Sequence, residues 1–327
     1  MSALAPLRIG TRASALALWQ ARHVESLVRA QPGAPPVELV HIRTEGDVHS
    51  DVPLWQVPGK AFFTKEIDRA LLAGTVDIAV HSLKDLATQI EPGLQLAATL
   101  PREDPRDALI SASGATLSAL PQGARVGTSS LRRRAFLARA RPDAVLLELR
   151  GNVPTRVERL KQGDCEAIIL AAAGLKRLGL AGEITEYLGV GTWPPAVAQG
   201  VIGICARADD EATLRWLTPL DDRAARLAVS AERALLRMLE GGCQVPLGAL
   251  ATLDEEQLSL RFKICALDGS GGMNGGTSFG EHDEPGRRRL TVEDAIGLGE
   301  RVARDLLARG AGELVARARA ARAVDEP

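Results

Sequence analysis

The chain has 327 residues, of which 46% are apolar and 25% charged, the balance of a globular protein with about two domains, or three small ones. The longest apolar stretch, Ala167–Leu175, is far shorter than the roughly 20 residues of a membrane helix, and Met1–Pro6 shows no secretory signal. The net charge is −1 and only 3% of residues are aromatic, which argues against a basic nucleic-acid binder. We expect a cytoplasmic protein that binds neither nucleic acid nor membrane.

The spacing of cysteine and histidine gives little support to a metal site. The four cysteines form no C-x-x-C pair, and the five histidines show no ligand spacing. Without an export signal, reduced thiols are the default state. We therefore expect free thiols and no metal.

The near-zero net charge hides a strong local asymmetry. Between Arg125 and Lys161 there are ten Lys or Arg and three acids, a net charge of +7, so the rest of the chain carries −8. A concentrated positive surface on an otherwise acidic protein indicates an anionic ligand.

Strand-like and helix-like patterns alternate through the first part of the chain. Strands are predicted at Leu7–Thr11, Val37–Thr44 and Asp77–Ser82, and helices at Ala13–Arg29 and Thr64–Leu72. The segment Thr44–Phe62 is long for a loop in a compact domain, which is typical of a functional or mobile segment.

The middle of the chain repeats this pattern. Arg125-Val-Gly-Thr128 matches Arg8-Ile-Gly-Thr11, and in each half a helix ends at Gly before an acid, Asp77 or Glu166, and a buried strand. We interpret the repeat as two related α/β domains that face each other, although βα units in general share such features. The alternation favours largely parallel sheets, whose ligands bind at strand carboxyl ends and helix N-termini.

The last third of the chain has the pattern of a small α+β domain. The predicted elements are a helix at Asp222–Leu239, strands at Leu247–Leu253 and Leu258–Leu267, a glycine-rich loop at Gly269–Gly280 and one long helix at Thr291–Ala323. The predicted domains are residues 1–100 with 201–218, residues 101–200, and residues 219–327. The first of these carries a lid loop near residues 45–60.

Two positions have the features of reactive groups. Cys243 follows two glycines and lies three residues before Pro246, so its thiol is expected on an accessible turn, as a covalent role requires. Lys84 and Asp85 follow a buried strand, where an Asp among cations can stabilise a developing positive charge. The alternatives are a small buried thiol and an ordinary surface ion pair. We interpret His81 and the other three cysteines as core residues: Cys165, Cys205 and Cys265.

Several arginines near predicted strand ends and helix starts favour a polyanionic substrate, because the planar guanidinium matches a carboxylate or phosphate. No P-loop motif occurs, which disfavours a nucleotide. These arginines are Arg12, Arg132, Arg133, Arg150, Arg156 and Arg177.

Eight segments, in order along the chain, are similar to motifs of the porphobilinogen deaminase family, whose members are also called hydroxymethylbilane synthases. The similarity runs from near the N-terminus to about residue 250, and the remainder matches only in pattern. The segments are Arg8–Gln20, Gly59–Glu66, Asp77–Asp85, Arg102–Asp107, Gly127–Arg133, Leu149–Arg156, Ala172–Leu178 and Leu239–Pro246.

The resemblance implies two periplasmic-binding-protein-like (type II) α/β domains around a cleft, with a small C-terminal α+β domain that carries the cofactor cysteine. It implies that Cys243 forms a thioether to a dipyrromethane cofactor. Four porphobilinogen substrates are then added head to tail with loss of ammonia, and water releases 1-hydroxymethylbilane. A cytoplasmic monomer is the family expectation.

The resemblance also implies the site residues, with Asp85 at the position of the catalytic aspartate. The cofactor-binding positions are matched by Cys243, Ser82, Lys84, Ser130, Arg132, Arg133 and Arg150. The substrate-binding positions are matched by Arg12, Ser14, Gln20, Lys60, Arg156 and Arg177. The chain departs from the family pattern at Gln56, Pro58, Ala198 and Cys205.

Two other functions remain as alternatives. A non-catalytic anion-binding module shares this architecture, but it needs neither Cys243 nor Asp85. A cysteine-dependent hydrolase is disfavoured because no histidine partner is positioned near Cys243. The residue chemistry supports the enzyme, since each porphobilinogen brings two carboxylates, and a fixed carboxylate can stabilise the azafulvene cation left when ammonia departs.

Overall fold

A computed structural model describes residues 5–45, 64–239, 245–280 and 289–324 as three β-sheets with helices packed against them. In these ranges the strands are β1 (Leu7–Thr11), β2 (Val37–His41), β3 (Ile78–Ser82), β4 (Leu94–Thr99), β5 (Asp107–Ser111), β6 (Arg125–Gly127), β7 (Val145–Leu147), β8 (Ala167–Ala171), β9 (Glu186–Tyr187), β10 (Ile202–Arg207), β11 (Leu247–Asp254), β12 (Gln257–Cys265) and β13 (Gly272–Gly280). The described α-helices are α1 (Ala15–Arg29), α2 (Lys65–Leu72), α3 (Leu131–Ala140), α4 (Val153–Lys161), α5 (Ala172–Arg177), α6 (Glu211–Leu217), α7 (Arg223–Met238), α8 (Val292–Ala308) and α9 (Ala311–Val324). Among the described residues, none of these helices combines the length and apolarity needed to cross a membrane.

Two five-stranded sheets have the same arrangement of equivalent strands, although the strands carry different numbers. The first is β2-β1-β3-β10-β4 and the second is β7-β6-β8-β5-β9. In each sheet three neighbouring strands are parallel, and the fourth strand runs antiparallel to both of its neighbours. The chain crosses between the sheets twice, because β5 follows β4 into the second sheet and β10 returns to the first. The predicted fold class is therefore confirmed, whereas the prediction of largely parallel sheets is wrong, since half of the strand pairs in each sheet are antiparallel.

The sequence repeat corresponds to equivalent strands of the two sheets. Arg8 of β1 donates to Asp77 from its backbone N–H and its guanidinium, both at 2.8 Å. Arg125 of β6 donates to Glu166 in the same way, at 2.6 and 2.7 Å. In both sheets the acid lies just before the strand that pairs in parallel with the arginine's strand. The interpretation of the repeat as two related α/β units is thus confirmed.

The third sheet, β11-β12-β13, is antiparallel, and it corrects two sequence expectations. The predicted glycine-rich loop is wrong, because Gly272–Gly280 forms β13 and pairs along its length with β12. A Cβ at Gly275 would lie 2.9 Å from the ring of Phe262, so glycine is what permits this close approach of the strands. The single helix predicted at Thr291–Ala323 is also wrong. Two helices, α8 and α9, replace it because the chain turns at Gly310, where φ is +93°.

An apolar cluster attaches the third sheet to the first α/β unit. It includes Leu71 of α2 and Leu83 after β3, together with Leu235 of α7 and Phe262 of β12. Asp222 is the N-cap of α7 and its side chain accepts the Ala225 N–H at 2.7 Å, as the sequence pattern predicts for a helix start. The helix is therefore packed against the first α/β unit as well as against the third sheet.

Candidate active site

A cleft of about 310 Å³ lies between the two five-stranded sheets. Its walls are built from the ends of β1, β3 and β8 and from the starts of α1, α4 and α5, with the crossover at Gln199–Val201 completing the wall. The location agrees with the prediction that ligands bind at strand carboxyl ends and helix N-termini.

The charges on the described walls of the cleft are strongly asymmetric. Six cationic side chains and a single carboxylate line it. Such a surface attracts a ligand that carries several anionic groups, as the +7 segment of the sequence predicts. The cations are Arg12, Lys84, Arg133, Arg150, Arg156 and Arg177, and the carboxylate is Asp85.

Asp85 reaches the cleft through a short turn at the end of β3. The strand passes directly into the single 3-10 turn Leu83–Asp85, and the buried Leu83 anchors this turn in the core. Asp85 is exposed, whereas Lys84 is half-buried. Burial lowers the pKa of Lys84, and the charge of Asp85 opposes that effect. The carboxylate is thus accessible from the cleft, with a cation held beside it.

His81 borders the same cleft but is only 7% exposed. Burial, followed by the charge of Arg12, lowers the pKa of His81 to about 4, so the imidazole is neutral near pH 7. The prediction of a buried histidine rather than an exposed general base is confirmed.

Polar groups of α1 lie on the wall of the cleft that β3 also forms. Ser14 is the N-cap of α1, and its hydroxyl accepts the Ala17 N–H at 3.3 Å. Gln20 is buried and donates to the Ser82 hydroxyl at 2.8 Å, while that hydroxyl donates back to Gln20 Oε1 at 3.2 Å. The predicted residues Ser14, Gln20 and Ser82 therefore all line the cleft.

The arginines of the opposite wall are oriented by backbone carbonyls. Arg156 Nε donates to Gly151 O at 2.7 Å, and Arg177 Nη2 donates to Gly200 O at 2.6 Å. Burial, then the charge of Arg133, lowers the pKa of Arg156 to about 10, which still leaves it cationic at neutral pH. Since each guanidinium has five N–H groups, these arginines keep donors available for a ligand.

Arg132 and Arg133 lie in the first turn of α3, near a helix start as the sequence predicts. Both are buried, at 4% and 5% exposure, and only Arg133 lines the cleft. They share the carboxylate of Asp107, at 2.7 and 2.8 Å. Ser130, predicted to bind the cofactor, is the N-cap of their helix and accepts the Arg133 N–H at 3.5 Å, but is not among the cleft-lining residues.

Sequence reasoning gave no role to Asp107, although the residue closes the quoted segment Arg102–Asp107. The same holds for Gln199, which lines the cleft and donates to Asp107 at 2.9 Å. In the sequence, Asp107 and Gln199 are marked only by short matches to family motifs. The fold shows which groups they contact.

Several predicted positions lie outside the described residues. These are Cys243, Lys60, Gln56, Pro58 and the central part of the proposed lid loop. The other three cysteines, Cys165, Cys205 and Cys265, are free thiols and buried, as predicted. Burial, followed by the charge of Asp68, raises the pKa of Cys205 to about 12. Ala198, where the family pattern differs, has a φ of +60°.

Comparison with known proteins gives consistent matches over most of the chain. A family model described as "Porphobilinogen deaminase, dipyromethane cofactor binding domain" matches residues 7–215, and one described as "Porphobilinogen deaminase, C-terminal domain" matches residues 226–308. A porphobilinogen deaminase from Roseiflexus sp. (strain RS-1) is 51% identical over 95% of this chain and 98% of its own length. One from Syntrophotalea carbinolica is 47% identical over 95% of both chains. A solved TRAP periplasmic solute binding protein from Desulfovibrio salexigens DSM2638 is 12% identical, with a TM-score of 0.40 over 66% of this chain and 72% of its own.

Proposed function

The chain belongs to the porphobilinogen deaminase family, and from that membership we propose how its residues carry out the hydroxymethylbilane synthase reaction. Four porphobilinogen molecules are joined head to tail onto a dipyrromethane cofactor with loss of ammonia, and water then releases 1-hydroxymethylbilane. The enzyme is a transferase of porphyrin biosynthesis. The observation that carries the assignment of roles is the lining of the cleft, to which the described residues contribute six cations and one carboxylate, Asp85.

The described residues fit a dipyrromethane. This group carries four carboxylates, which the cationic wall can bind through charge-assisted hydrogen bonds. We assign its carboxylates to Lys84, Arg133 and Arg150, with a hydroxyl supplied by Ser82 and with the buried Arg132 behind them. For Ser130, which does not line the cleft, a role with the cofactor rests on the family motif alone. When bound, the dipyrromethane supplies the pyrrole carbon to which the first substrate is joined.

Cys243 is the proposed attachment point, through a thioether. It lies between α7, which ends at Met238, and β11, which begins at Leu247, so the packed third domain holds both flanks of its segment. The other three thiols are buried, at 3% exposure or less, and no ligand could reach them without unfolding. The burial of these three thiols supports the proposal, made from the family motif, that Cys243 has the covalent role.

Substrate carboxylates are assigned to the remaining cations and to polar groups of the cleft. Arg12 lies at the end of β1, while Arg156 and Arg177 are held by backbone carbonyls on the opposite wall. Ser14 and Gln20 add neutral hydrogen-bonding groups. Lys60, on the proposed lid, is assigned the same role from the family motif alone.

Asp85 is the proposed catalytic residue. Its carboxylate can accept hydrogen bonds from pyrrole N–H groups and stabilise the positive charge that develops as ammonia leaves the substrate. Lys84, assigned to the cofactor, and Arg156, assigned to the substrate, both interact electrostatically with Asp85, so the proposed catalytic carboxylate lies near a cation of each set. Closure of the lid would exclude water until the final hydrolysis.

We also propose the remaining properties that the family suggests. The protein is a cytoplasmic monomer, which size-exclusion chromatography with light scattering and localisation of a tagged chain would test. Its domains are residues 1–100 with 201–218, residues 101–200 and residues 219–327. Support for these bounds comes from β10, which pairs with β3 and β4 of the first sheet although it follows the second in sequence.

The role of Asp85 is tested by Asp85→Asn, which keeps the size of the side chain and removes its charge. We expect turnover of porphobilinogen to fall by about 10²-fold or more, the loss typical of one electrostatic group in a preorganised site, with unchanged folding. The matched control is Asp209→Asn, because Asp209 is an exposed carboxylate outside the cleft. Turnover of Asp85→Asn within twofold of the control would contradict the assignment.

A further inference from the structure

Asp107 is a fully buried carboxylate that accepts four side-chain hydrogen bonds. Oδ2 accepts from Arg132 Nη2 at 2.7 Å and from Trp193 Nε1 at 2.9 Å. Oδ1 accepts from Arg133 Nη2 at 2.8 Å and from Gln199 Nε2 at 2.9 Å. Burial alone would raise the pKa of Asp107, but the two guanidiniums and these hydrogen bonds lower it well below the usual range, so the group is anionic. A carboxylate with all its lone pairs occupied is rigid.

The charge around Asp107 is unbalanced in favour of the cations. Two guanidiniums share one carboxylate, and Lys84 interacts electrostatically with all three groups. The Nε atoms of Arg132 and Arg133 are buried and have no hydrogen-bond partner in the described structure. A buried cluster with excess positive charge is costly unless an anion completes it. The cleft, which Arg133 and Lys84 line, is where such an anion can enter.

Arg133 is fixed at two points and keeps donors for a third. Its Nη1 donates to Ile169 O at 2.9 Å, and its Nη2 donates to Asp107. Of its five N–H groups, three thus have no partner among the described residues. The guanidinium is planar, so fixing two nitrogens fixes the direction of the others.

We propose that Asp107 is a positioning residue, which orients the guanidinium of Arg133 so that its remaining donors meet a carboxylate of a bound pyrrole. Asp107 itself touches no ligand, because Arg132, Arg133, Trp193 and Gln199 enclose it. Its negative charge also offsets one of the buried cations without neutralising the group. The excess charge that remains matches the incoming carboxylate. This inference rests on the proposed function of the cleft.

The test compares Asp107→Asn with Asp104→Asn in the full-length enzyme. Asp104 is a matched control, since it also pairs with two cations, Arg106 at 2.7 Å and Lys176 at 3.0 Å, neither of which lines the cleft. For Asp107→Asn we expect about a tenfold loss in cofactor loading and a smaller change in the KM of loaded enzyme for porphobilinogen, because Arg133 is assigned to a carboxylate of the dipyrromethane. Cofactor occupancy is read from intact mass. Urea unfolding establishes that each variant is folded.

A double variant separates positioning from a general structural role. If Asp107 acts through Arg133, Asp107→Asn in an Arg133→Gln background produces no further loss of cofactor occupancy. The double variant also unfolds at a higher urea concentration than Asp107→Asn, because one buried cation is gone. This comparison also serves if Asp107→Asn alone does not fold. A cofactor occupancy equal to that of Asp104→Asn, or additive effects in the double variant, would overturn the inference. A wild-type protein with neither cofactor mass nor turnover would instead overturn the proposed function.

Discussion

Glu232 connects the third domain to both crossovers between the α/β units, and its replacement should destabilise the protein strongly. The side chain is fully buried on α7. Oε1 accepts from Arg102 Nη2 at 2.7 Å and from the Ala251 N–H at 2.8 Å, and Oε2 accepts from the Ala198 N–H at 2.6 Å. Arg102 also donates to Gln199 O at 3.1 Å. One carboxylate thus joins β11 to the two crossover segments, the β4–β5 connection at Arg102 and the β9–β10 connection at Ala198, which we call the hinge.

The expected loss for Glu232→Gln follows from these three contacts. An amide has one oxygen, so the best placement keeps the Arg102 and Ala251 bonds and points the NH2 group at the Ala198 N–H. A buried N–H left unpaired costs about 1–3 kcal/mol, and the loss of the counter-charge of Arg102, which is only partly exposed, raises the total to about 3–5 kcal/mol. Ala198 adds to the effect, because its φ of +60° is held against the intrinsic preference of the residue.

Urea unfolding followed by circular dichroism measures this loss, and Glu256→Gln is the control. Glu256 has the same kinds of partner, Arg223 at 2.7 Å and the Leu290 N–H at 2.9 Å, but its side chain is 28% exposed. A partly exposed pair contributes about 1 kcal/mol or less. If Glu232→Gln costs no more than Glu256→Gln, the hinge is not held by this buried pair and the reasoning is refuted.

Two further predictions concern stability against pH and ligand binding. Burial raises the pKa of Asp68 from 3.8 to about 6; a hydrogen bond with Thr64 opposes this rise, and the charges of Glu91 and Glu66 add to it. Between these two pKa values the folded protein retains a proton that the unfolded chain releases, so stability falls as the pH rises from about 4 to about 6. Urea unfolding should therefore give Asp68→Asn a higher free energy of unfolding than the wild type at pH 8, by up to about 3 kcal/mol, and no such difference at pH 4. The same difference in free energy of unfolding at both pH values would contradict this. Arg156→Gln should raise the KM for porphobilinogen about tenfold. The control is Arg159→Gln on the same helix, which should leave the KM unchanged because Arg159 pairs with Asp164 outside the cleft; similar KM values for the two variants would show that Arg156 binds no carboxylate.

Periodic patterns in the sequence were sufficient to predict the two α/β units. The acids Asp77 and Glu166 each precede a buried strand, and each turns out to bind the equivalent arginine on the neighbouring strand. What the patterns could not show is the direction of β5 and β10. Strand direction here depends on the chain crossing between the sheets, a long-range property that no local spacing records.

The glycine-rich segment Gly269–Gly280 was predicted incorrectly because its conformation depends on the neighbouring strand and not on its own residues. Glycines are depleted in strands, so the segment before Gly280 was expected to be a loop. In the fold, Gly275 belongs to a strand because the ring of Phe262 takes the space of a side chain. Gly310, by contrast, ends α8 with a positive φ, a local signal that the long helical pattern obscured.

The site could be predicted where a residue acts alone and not where residues form a buried network. Asp85 and the single arginines of the walls lie beside predicted strand ends, so their position followed from the elements. Asp107 contacts side chains that are 25 to 92 residues away in sequence, and its role is visible only once the crossovers are folded together.

The central claim is that this chain carries a dipyrromethane on Cys243 in an arginine-lined cleft. Intact-mass spectrometry of the purified protein, with peptide mapping, tests it most directly, and Cys243→Ser is the paired variant. The account predicts the added mass of a dipyrromethane on the peptide that contains Cys243, and no thioether adduct in the variant. An unmodified wild-type mass, or an adduct on Cys165, Cys205 or Cys265, would contradict it.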